Sequence, residues 1–245
     1  MGSQRKNRPM NITRNKLSFL VTDSTPNKSF WRLDDWETET YEAFDKFLTK
    51  DKIYLDIGAW IGPTVLYGAQ LAKKVITFEP DPVAWTELQS NLALNSFTNI
   101  DAYKLALADH TGTLKMGSDN RLGESVSRVG NFKDELSFET ECIVFDEFIS
   151  KLGSEINDIN FLKVDIEGAE HLIAKSQFLK NNTPTVLLSL HPKMMLDFSK
   201  NIEDIITLRS YYSACAFVSG SKTGQQVTDN DLRTMQEYYT ILLTR

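Results

Sequence analysis

The feature that most constrains the fold is a glycine loop that follows a short, mostly apolar run early in the chain. The run at 52–56 ends in an aspartate, and the loop behind it carries Gly58 and Gly62. A second apolar run, at 75–78, is followed by a lone acid, Glu79. In open α/β sheets, the loop after the first strand approaches a ligand, and an acid after the second strand binds its ribose. The pattern predicts a doubly wound α/β fold with a nucleoside pocket at the carboxyl ends of its strands.

The same loop restricts which nucleoside can bind. A dinucleotide fingerprint, G-x-G-x-x-G, that begins at Gly58 needs glycines at 60 and 63, so that bare backbone can approach a pyrophosphate. This chain has Trp60 and Pro63 there, and it lacks the G-K-[ST] ending of a phosphate-binding loop. These residues argue against NAD, NADP and FAD. They are compatible with a nucleoside that carries no phosphate, of which S-adenosylmethionine is a common one.

Composition is consistent with one folded domain. The chain has 245 residues, of which 41% are hydrophobic and 24% are charged, as in ordinary soluble proteins. Residues 1–30 hold six Lys or Arg and one Asp, so this stretch carries +5 and the rest −11 of the net −6. We expect a basic, flexible arm over 1–30 and a single domain over 31–245. Within it, 31–50 holds an amino-terminal helix, and the polar, turn-rich 109–141 is an inserted loop or substrate lid.

Charge and cysteine content limit the partners and the compartment. The acidic body argues against a large nucleic-acid surface. Cys142 and Cys215 lie in apolar runs without metal-type spacing, which is typical of buried thiols in a reducing compartment. No apolar run approaches the roughly 18 residues of a membrane span, and no signal peptide is recognisable. We expect a soluble, cytoplasmic protein.

Strand-like and helix-like segments alternate along the body, and this alternation predicts a mostly parallel sheet. Pro63 suits the first residue of a helix, and Asp81 suits a helix N-cap. The last two strand-like runs lack a strong helix between them, so we expect an antiparallel pair at the edge of the sheet. The predicted strands are 52–56, 75–78, 100–105, 113–116, 137–144, 159–165, 185–191, 214–218 and 238–243, and the predicted helices are 37–48, 82–95, 146–149, 169–175 and 203–210.

Charged residues on a predicted central strand form a second chemical feature. Lys163 and Asp165 share one face of the strand 159–165, although a central parallel strand is normally apolar on both faces. Either they form a buried ion pair that only locks the strand end, or they face a cleft. Asp165 ends its strand, Glu167 follows it into the loop, and His191 ends the next strand. The ordinary pKa of histidine suits proton removal from a hydroxyl.

These motifs together are similar to those of a known family. They are Trp36-Glu37, Asp56-Ile-Gly-Ala-Trp-Ile-Gly62, Phe78-Glu-Pro80, Asn91-x-x-x-Asn95, Ala106-Leu-Ala-Asp109 with Gly112, Asp146-Glu-Phe, and Leu162-Lys-Val-Asp-Ile-Glu-Gly-Ala-Glu170. Their order resembles that of the FkbM family of S-adenosylmethionine-dependent methyltransferases over about 36–191. The resemblance implies a Rossmann-like class I methyltransferase sheet. It also implies an enzyme that O-methylates hydroxyls of sugars or polyketides. Trp60 departs from the family, which usually has Asn there.

The resemblance also implies a set of cofactor-binding residues. Asp56, Gly58 and Gly62 would line the methionine portion, and Leu107 and Ala108 would lie near adenine. Glu79 would accept hydrogen bonds from both ribose hydroxyls, and Glu37 would close the pocket together with Trp36. The full set is Asp56, Gly58, Ala59 and Gly62 in the first loop, Glu79 and Pro80 after the second strand, Leu107 and Ala108 after the third, and Glu37.

The catalytic set is expected to be Asp165, His191, Glu167 and Lys163. In one mechanism, Asp165 or His191 takes the proton from an acceptor hydroxyl while Glu167 holds the substrate. In another, Asp165 and a second acid hold Mg²⁺ or Mn²⁺, which lowers the pKa of the hydroxyl. The expected acceptor is a small molecule or a glycan, with a sugar hydroxyl preferred.

Three other classes of function stay open from the residues alone. The domain could be a non-catalytic binding module that keeps or has lost the cofactor, although the presence of both Glu79 and Asp165 weighs against it. A nucleic-acid methyltransferase would use the basic arm, but the chain has no N-P-P-Y-like motif. A dinucleotide oxidoreductase is disfavoured by Trp60 and Pro63. The acceptor and the oligomeric state stay open as well.

Overall fold

The computed structural model describes residues 9–23 and 25–245. In chain order the strands are β1 (Met10–Arg14), β2 (Leu17–Val21), β3 (Ile53–Ile57), β4 (Lys74–Phe78), β5 (Ile100–Tyr103), β6 (Ala106–Leu107), β7 (Gly112–Gly117), β8 (Arg128–Val129), β9 (Ser137–Ile143), β10 (Ile159–Val164), β11 (Thr185–Leu190), β12 (Ala214–Phe217) and β13 (Tyr239–Thr244). The α-helices are α1 (Thr38–Phe47), α2 (Pro63–Gly68), α3 (Pro82–Ala93), α4 (Phe145–Lys151), α5 (Gln177–Asn182), α6 (Phe198–Arg209) and α7 (Asp229–Thr234).

A seven-stranded sheet in the order β12-β13-β11-β10-β3-β4-β5 forms the centre. Strands β11, β10, β3, β4 and β5 run parallel, and β13 is antiparallel to both β11 and β12. The predicted doubly wound, mostly parallel sheet with an antiparallel carboxyl-terminal pair is confirmed, although only β12 lies at the edge. The chain reverses its direction of travel across the sheet between β3 and β10. In such sheets the crevice at this switch point is where ligands bind.

Helices cover both faces of the sheet because the central strands are apolar on both sides. All five residues of β3 are buried, and alternate ones serve different layers. Leu55 belongs to a cluster with residues of α4 and α6, among them Phe148 and Ile205. Tyr54 belongs to the opposite cluster with Phe44 of α1 and Tyr67 of α2. The two layers hold the carboxyl ends of β3 and β10 rigidly side by side.

The expectation of a flexible arm over 1–30 is wrong for 10–21. These residues form an antiparallel hairpin of β1 and β2, and its inward side chains Ile12, Phe19 and Val21 are buried. More and less buried positions alternate along both strands, as in a half-buried hairpin. Residues 1–8 lie outside the part of the chain that the structure describes.

Two asparagines, Asn91 in α3 and Asn95 just after it, attach the hairpin to the domain. Asn91 Oδ1 accepts a hydrogen bond from the backbone N–H of Thr22, and Asn95 Oδ1 accepts one from Leu20, both at 2.9 Å. Asn91 Nδ2 also donates to the carbonyl of Ile61 in the glycine loop. The Asn91-x-x-x-Asn95 motif therefore connects the amino-terminal hairpin to that loop.

The polar stretch 109–141 is partly a sheet of its own. Strands β7 and β9 pair antiparallel and, with β6 and β8, form a four-stranded sheet in the order β6-β9-β7-β8. The connection between β7 and β8 returns to the main sheet. The predicted strands at 113–116 and 137–144 are confirmed, and Asp81 is the N-cap of α3 as expected.

Other predicted elements differ from the structure. The segment 169–175 is a one-turn 3-10 helix at Glu170–Ile173 rather than an α-helix, and α5 and α7 were not predicted. Helix α7 lies in the connection between β12 and β13, the last two strands of the sheet. Within residues 9–23 and 25–245, no helix has the length and apolar character needed to cross a bilayer.

Candidate active site

A cavity of about 500 Å³ opens at the carboxyl ends of β3, β4, β10 and β11, and this volume is typical of small-molecule sites. It lies at the switch point between β3 and β10. Most of the predicted site residues line it. They are Glu37, Gly58, Ala59, Glu79, Pro80, Leu107, Lys163, Asp165, Glu167 and His191.

The other three predicted residues, Asp56, Gly62 and Ala108, lie outside the cavity wall. Asp56 is fully buried beneath the loop, where its Oδ2 accepts a hydrogen bond from Thr64 Oγ1 at 2.8 Å. Burial raises its pKa to about 6. Gly62 packs against α3, because a Cβ there would lie 2.7 Å from Leu88 Cδ1. Both residues support the loop from behind.

Gly58 is required by the close approach of two strand ends. Its φ is +99°, and a Cβ at this position would lie 1.9 Å from the carbonyl oxygen of Asp165. Only glycine has no side chain there and adopts this conformation freely. The loop after β3 can therefore touch the loop after β10, which brings the two sequence motifs together.

Glu79 is buried at the end of β4 and held by the backbone. Its Oε2 accepts the N–H of Trp60 at 2.7 Å, and its Oε1 accepts the N–H of Asp81 at 2.8 Å. Burial raises its pKa to about 8. Each carboxyl oxygen can accept more than one hydrogen bond, so both can still accept one from a ligand. We refer to Gly58, Trp60 and Glu79 as the glycine-loop end of the cavity.

A segment between β7 and β8 covers the glycine-loop end. The N–H of Gly123 and the hydroxyl of Ser127 donate to Asp81 Oδ2 at 2.8 and 2.6 Å, and the indole of Trp60 donates to the Gly123 carbonyl at 2.9 Å. This segment and β8 contribute cavity-lining residues that were not predicted one by one, because the expectation was only a lid over 109–141. They are Glu124, Ser125, Ser127, Arg128 and Val129.

An aromatic wall rises beside the glycine loop. The ring of Phe30 lies 4.5 Å from Trp60 and 4.8 Å from Trp36, measured between centroids. Leu33, which is exposed, continues the wall at the rim. Phe30 and Leu33 were missed, although they lie just before the Trp36-Glu37 motif in the sequence. Clustering of aromatic residues near that motif could have indicated them.

Four charged residues meet at the other end of the cavity, and we call Asp165, Glu167, Glu170 and His191 the acid–histidine cluster. His191 Nδ1 bonds to Glu170 Oε1 at 2.9 Å. Its Nε2 lies 3.6 Å from Asp165 Oδ1 and 3.4 Å from Glu167 Oε2. The structure thus brings the predicted catalytic residues together and adds Glu170, which the sequence analysis had quoted only as part of a motif.

Lys163 lies in β10, two residues before Asp165, and extends to the cluster from there. Its Nζ lies 3.0 Å from Asp165 Oδ2, so the predicted buried ion pair is present and also faces the cavity. Burial alone would lower the pKa of Lys163, but the carboxylates of Asp165, Asp56 and Glu37 outweigh it and hold the pKa above its ordinary value. Lys163 is therefore a permanent cation beneath the cluster.

Burial and neighbouring charge set the other ionisable groups. Burial raises the pKa of Glu167 to about 7 and that of Glu37 to about 7. Burial would lower the pKa of His191, but the hydrogen bond that its Nδ1–H donates to Glu170 and the carboxylates nearby raise it to about 9. Such shifts mark groups held in a desolvated, strongly charged environment, as at many functional sites.

Tyr238 completes this end of the cavity. It lies just before β13, and its ring centroid is 5.1 Å from that of His191. Its hydroxyl bonds to Thr240 Oγ1 at 2.7 Å. No sequence signal marked this tyrosine, because the fold of the last two strands alone brings it here.

Backbone strain concentrates around the cavity. Among the described residues, five non-glycine residues have a φ in the left-handed region, and three of them line the cavity: Glu37, Trp60 and Glu167, at 46°, 49° and 54°. Each such conformation costs roughly 1–3 kcal/mol and persists only where the surroundings enforce it. The strain aims these side chains at the site.

Two solved structures resemble the fold. An rRNA methylase from Streptococcus thermophilus is 10% identical, with 86% of this chain and 98% of that chain covered and a TM-score of 0.49. The T. thermophilus 16S rRNA N2 G1207 methyltransferase RsmC, in complex with AdoMet and guanosine, is 13% identical, with 97% and 50% covered and a TM-score of 0.48. At these identities and scores, neither tells what this chain acts on.

Sequence comparison is more specific. Methyltransferase sdnD of Sordaria araneosa is 28% identical over 168 residues, which make up 66% of this chain and 60% of that protein. The chain thus matches somewhat less than two thirds of the length of this relative. The family model described as methyltransferase FkbM domain matches residues 56–218, from the end of β3 to just past β12. The match takes in both ends of the cavity and well over half of the chain, which therefore belongs to the FkbM methyltransferase family.

Proposed function

We propose that the protein transfers the methyl group of S-adenosylmethionine to a hydroxyl of a small-molecule or glycan acceptor. The observation that carries the proposal is the single cavity that joins the glycine-loop end to the acid–histidine cluster. One end has the chemistry for a nucleoside and the other has proton acceptors. Family membership supports the cofactor.

The glycine-loop end would hold the cofactor. Glu79 would accept hydrogen bonds from the ribose hydroxyls, and Leu107 with Ala106 would pack against the adenine. Gly58 and Ala59 offer backbone for the methionine portion. This arrangement leaves no place for a diphosphate, because Trp60 occupies the position where a dinucleotide needs bare backbone.

The acid–histidine cluster would receive the proton. The acceptor oxygen attacks the methyl carbon, the O–C bond forms as the S–C bond breaks, and neutral S-adenosylhomocysteine leaves. The hydroxyl proton would pass to the Asp165 carboxylate, or to His191 Nε2 where the imidazole is unprotonated. Lys163 and Glu170 hold this pair from behind, and Glu167 would bind the acceptor. Alignment and proton removal are the enzyme's contributions, since the sulfonium itself is the electrophile.

The lining supports a sugar acceptor. Phe30, Trp36 and Leu33 form an apolar wall, while Glu37 and Glu167 offer hydrogen-bond acceptors across from it. A sugar ring has an apolar face and a rim of hydroxyls, so it needs both kinds of surface. The buried Arg14, whose guanidinium donates to the Trp31 carbonyl, is not part of a basic surface for nucleic acid.

Thermal shifts with S-adenosylmethionine, S-adenosylhomocysteine and NAD⁺ test the proposal first. At 100 times its dissociation constant a ligand adds about 2.7 kcal/mol, which raises the melting temperature by roughly 5–10 °C in a domain of this size. We expect a rise with the two adenosyl compounds only. Release of S-adenosylhomocysteine in the presence of a panel of sugars and glycosides then tests the acceptor. A rise with NAD⁺ alone would overturn the proposal.

A further inference from the structure

We propose that Asp165, Glu167 and His191 together bind a divalent transition-metal ion at the acid–histidine end of the cavity. Their ligand atoms all lie within 4.8 Å of one another. An ion bound by carboxylate oxygen and imidazole nitrogen lies about 2.0–2.2 Å from each. Movements of a few tenths of an ångström therefore bring all three onto one ion.

The histidine is oriented as a metal ligand. Its Nδ1 is bonded to Glu170, so Nε2 is the nitrogen that points at Asp165 and Glu167. Metal-ligating histidines almost always have the second ring nitrogen bonded to a carboxylate or carbonyl, which fixes the ring. Glu170 is fully buried and serves no other side chain here.

The two carboxylates also present free atoms. Asp165 has one oxygen, Oδ2, on Lys163, and its other oxygen faces His191. Glu167 Oε2 is buried and has no hydrogen-bond partner among the described residues. His191 Nε2 lies 3.4 Å from it without forming a hydrogen bond, and a buried polar oxygen left without a hydrogen bond costs about 1–3 kcal/mol. The left-handed φ of Glu167 adds to that cost. A bound cation that Glu167 Oε2 coordinates would offset both.

Charge balance points the same way. Three carboxylates, those of Asp165, Glu167 and Glu170, surround one imidazole, with Lys163 as the adjoining cation. Even with the imidazole protonated, the carboxylates outnumber the cations. A divalent ion in place of that proton supplies the missing charge.

The donor set indicates which ions fit. One imidazole and two carboxylates suit first-row transition metals, whereas Mg²⁺ and Ca²⁺ prefer oxygen alone. The ion's other positions would face the cavity. If the proposed function holds, an acceptor hydroxyl would bind there. The ion, in place of free Asp165 and His191, would then promote loss of the hydroxyl proton to water by lowering the pKa of the hydroxyl. Metal binding itself does not depend on that function.

Manganese is the probe. Chelator-treated protein is titrated with MnCl₂, and bound Mn²⁺ is counted by electron paramagnetic resonance while the melting temperature is followed. We expect one ion per chain and a rise of roughly 5–10 °C at 100 times the dissociation constant, reversed by EDTA. Glu167→Gln and His191→Gln should each weaken binding at least tenfold.

Two controls keep the result interpretable. His110→Gln removes an exposed histidine that is paired with Asp109, so it should bind Mn²⁺ like the unmodified protein. A thermal shift with S-adenosylhomocysteine shows whether each variant is folded. Loss of Mn²⁺ binding in a variant that still responds to S-adenosylhomocysteine supports the site.

Other outcomes overturn the proposal. No saturable Mn²⁺ binding means that the cluster holds its charge without an ion, and equal binding by the Glu167→Gln and His191→Gln variants means that Mn²⁺ binds elsewhere. If S-adenosylhomocysteine still stabilises the protein in that case, the metal site fails and the proposed function stands. If Mn²⁺ binds at the site and no adenosyl compound does, the function fails and the metal site stands.

Discussion

At the glycine-loop end of the cavity the backbone holds the key carboxylate, whereas at the acid–histidine end side chains hold one another. Glu79 is fixed by the N–H groups of Trp60 and Asp81. His191, by contrast, depends on Glu170, and Asp165 depends on Lys163. Every substitution except one to proline keeps a backbone N–H donor. Side-chain partners can be exchanged. We therefore expect the glycine-loop end to bind the same cofactor throughout, and the acid–histidine end to determine the chemistry and the choice of acceptor.

The contact between the two ends is where the largest effect is expected. In Gly58→Ala, the Cβ would collide with the Asp165 carbonyl at 1.9 Å, in a backbone conformation that alanine disfavours. We expect a loss of about 3–5 kcal/mol in the free energy of unfolding, measured by urea denaturation. Gly153→Ala is the matched control, with a φ of +57° and nothing within 4 Å of the added Cβ. It should cost only about 1–2 kcal/mol. Equal losses in the two variants would contradict the close approach.

Removal of the histidine separates binding from chemistry. In His191→Gln, kcat should fall by about 10²–10⁴-fold, because the acceptor hydroxyl loses a partner for its proton. The dissociation constant for S-adenosylhomocysteine should stay within about twofold, since no group at the glycine-loop end changes. Kinetics on an accepted sugar and calorimetry measure the two quantities. A large loss of cofactor affinity would show that the ends are not independent.

The converse substitution is Glu79→Gln. It keeps the shape of the side chain but replaces one carboxyl oxygen with an amide nitrogen, which cannot accept a hydrogen bond from a ribose hydroxyl. Loss of a buried hydrogen-bond partner costs about 1–3 kcal/mol. We expect the affinity for S-adenosylhomocysteine to fall by about 10–100-fold, with Mn²⁺ binding unchanged. Glu139→Gln, on the exposed side of β9, is the control and should bind like the unmodified protein. An unaltered affinity for S-adenosylhomocysteine in Glu79→Gln would show that Glu79 does not bind the cofactor.

The last expected effect concerns pH. Burial raises the pKa of Glu79 from its ordinary 4.5 to about 8, so between these values the folded protein keeps a proton that the unfolded chain has lost. The free energy of unfolding of the cofactor-free protein should therefore fall as pH rises through this window, and the raised pKa values of Glu37, Glu167 and His191 add to the decline. Urea unfolding at about pH 5 and about pH 8 measures the change. In Glu79→Gln the decline should be shallower, and an equal decline would mean that other groups cause it.

Much of the glycine-loop end was predictable because its parts are local in the sequence. Gly58 and Glu79 follow directly from two apolar runs, and a parallel sheet places the carboxyl ends of neighbouring strands together. The N-cap Asp81 and the helix after Pro63 follow from rules that involve only a few adjacent residues. Asp56 and Gly62 were recognised in the same motif, but the pattern could not tell a residue that lines the cavity from one that supports it.

The acid–histidine end was predictable only in part. Asp165, Glu167 and His191 could be placed at strand ends, but the role of Glu170 in orienting the imidazole could not be foreseen. Tyr238 reaches the cavity through the antiparallel insertion of β13 beside β11. No local pattern encodes which distant strand becomes a neighbour.

The sequence by itself determined the parallel sheet, the glycine loop and the acids at the strand ends, because hydrophobic period and turn chemistry act over a few residues. Tertiary structure alone decided that residues 10–21 pack as a hairpin, that Phe30 and Tyr238 wall the cavity, and that Gly58 touches the Asp165 carbonyl. It also decided that one oxygen of Glu167 is buried without a hydrogen bond from any of the described residues. Burial, pKa and distance between side chains depend on segments far apart in the chain, so they exist only once the sheet has assembled.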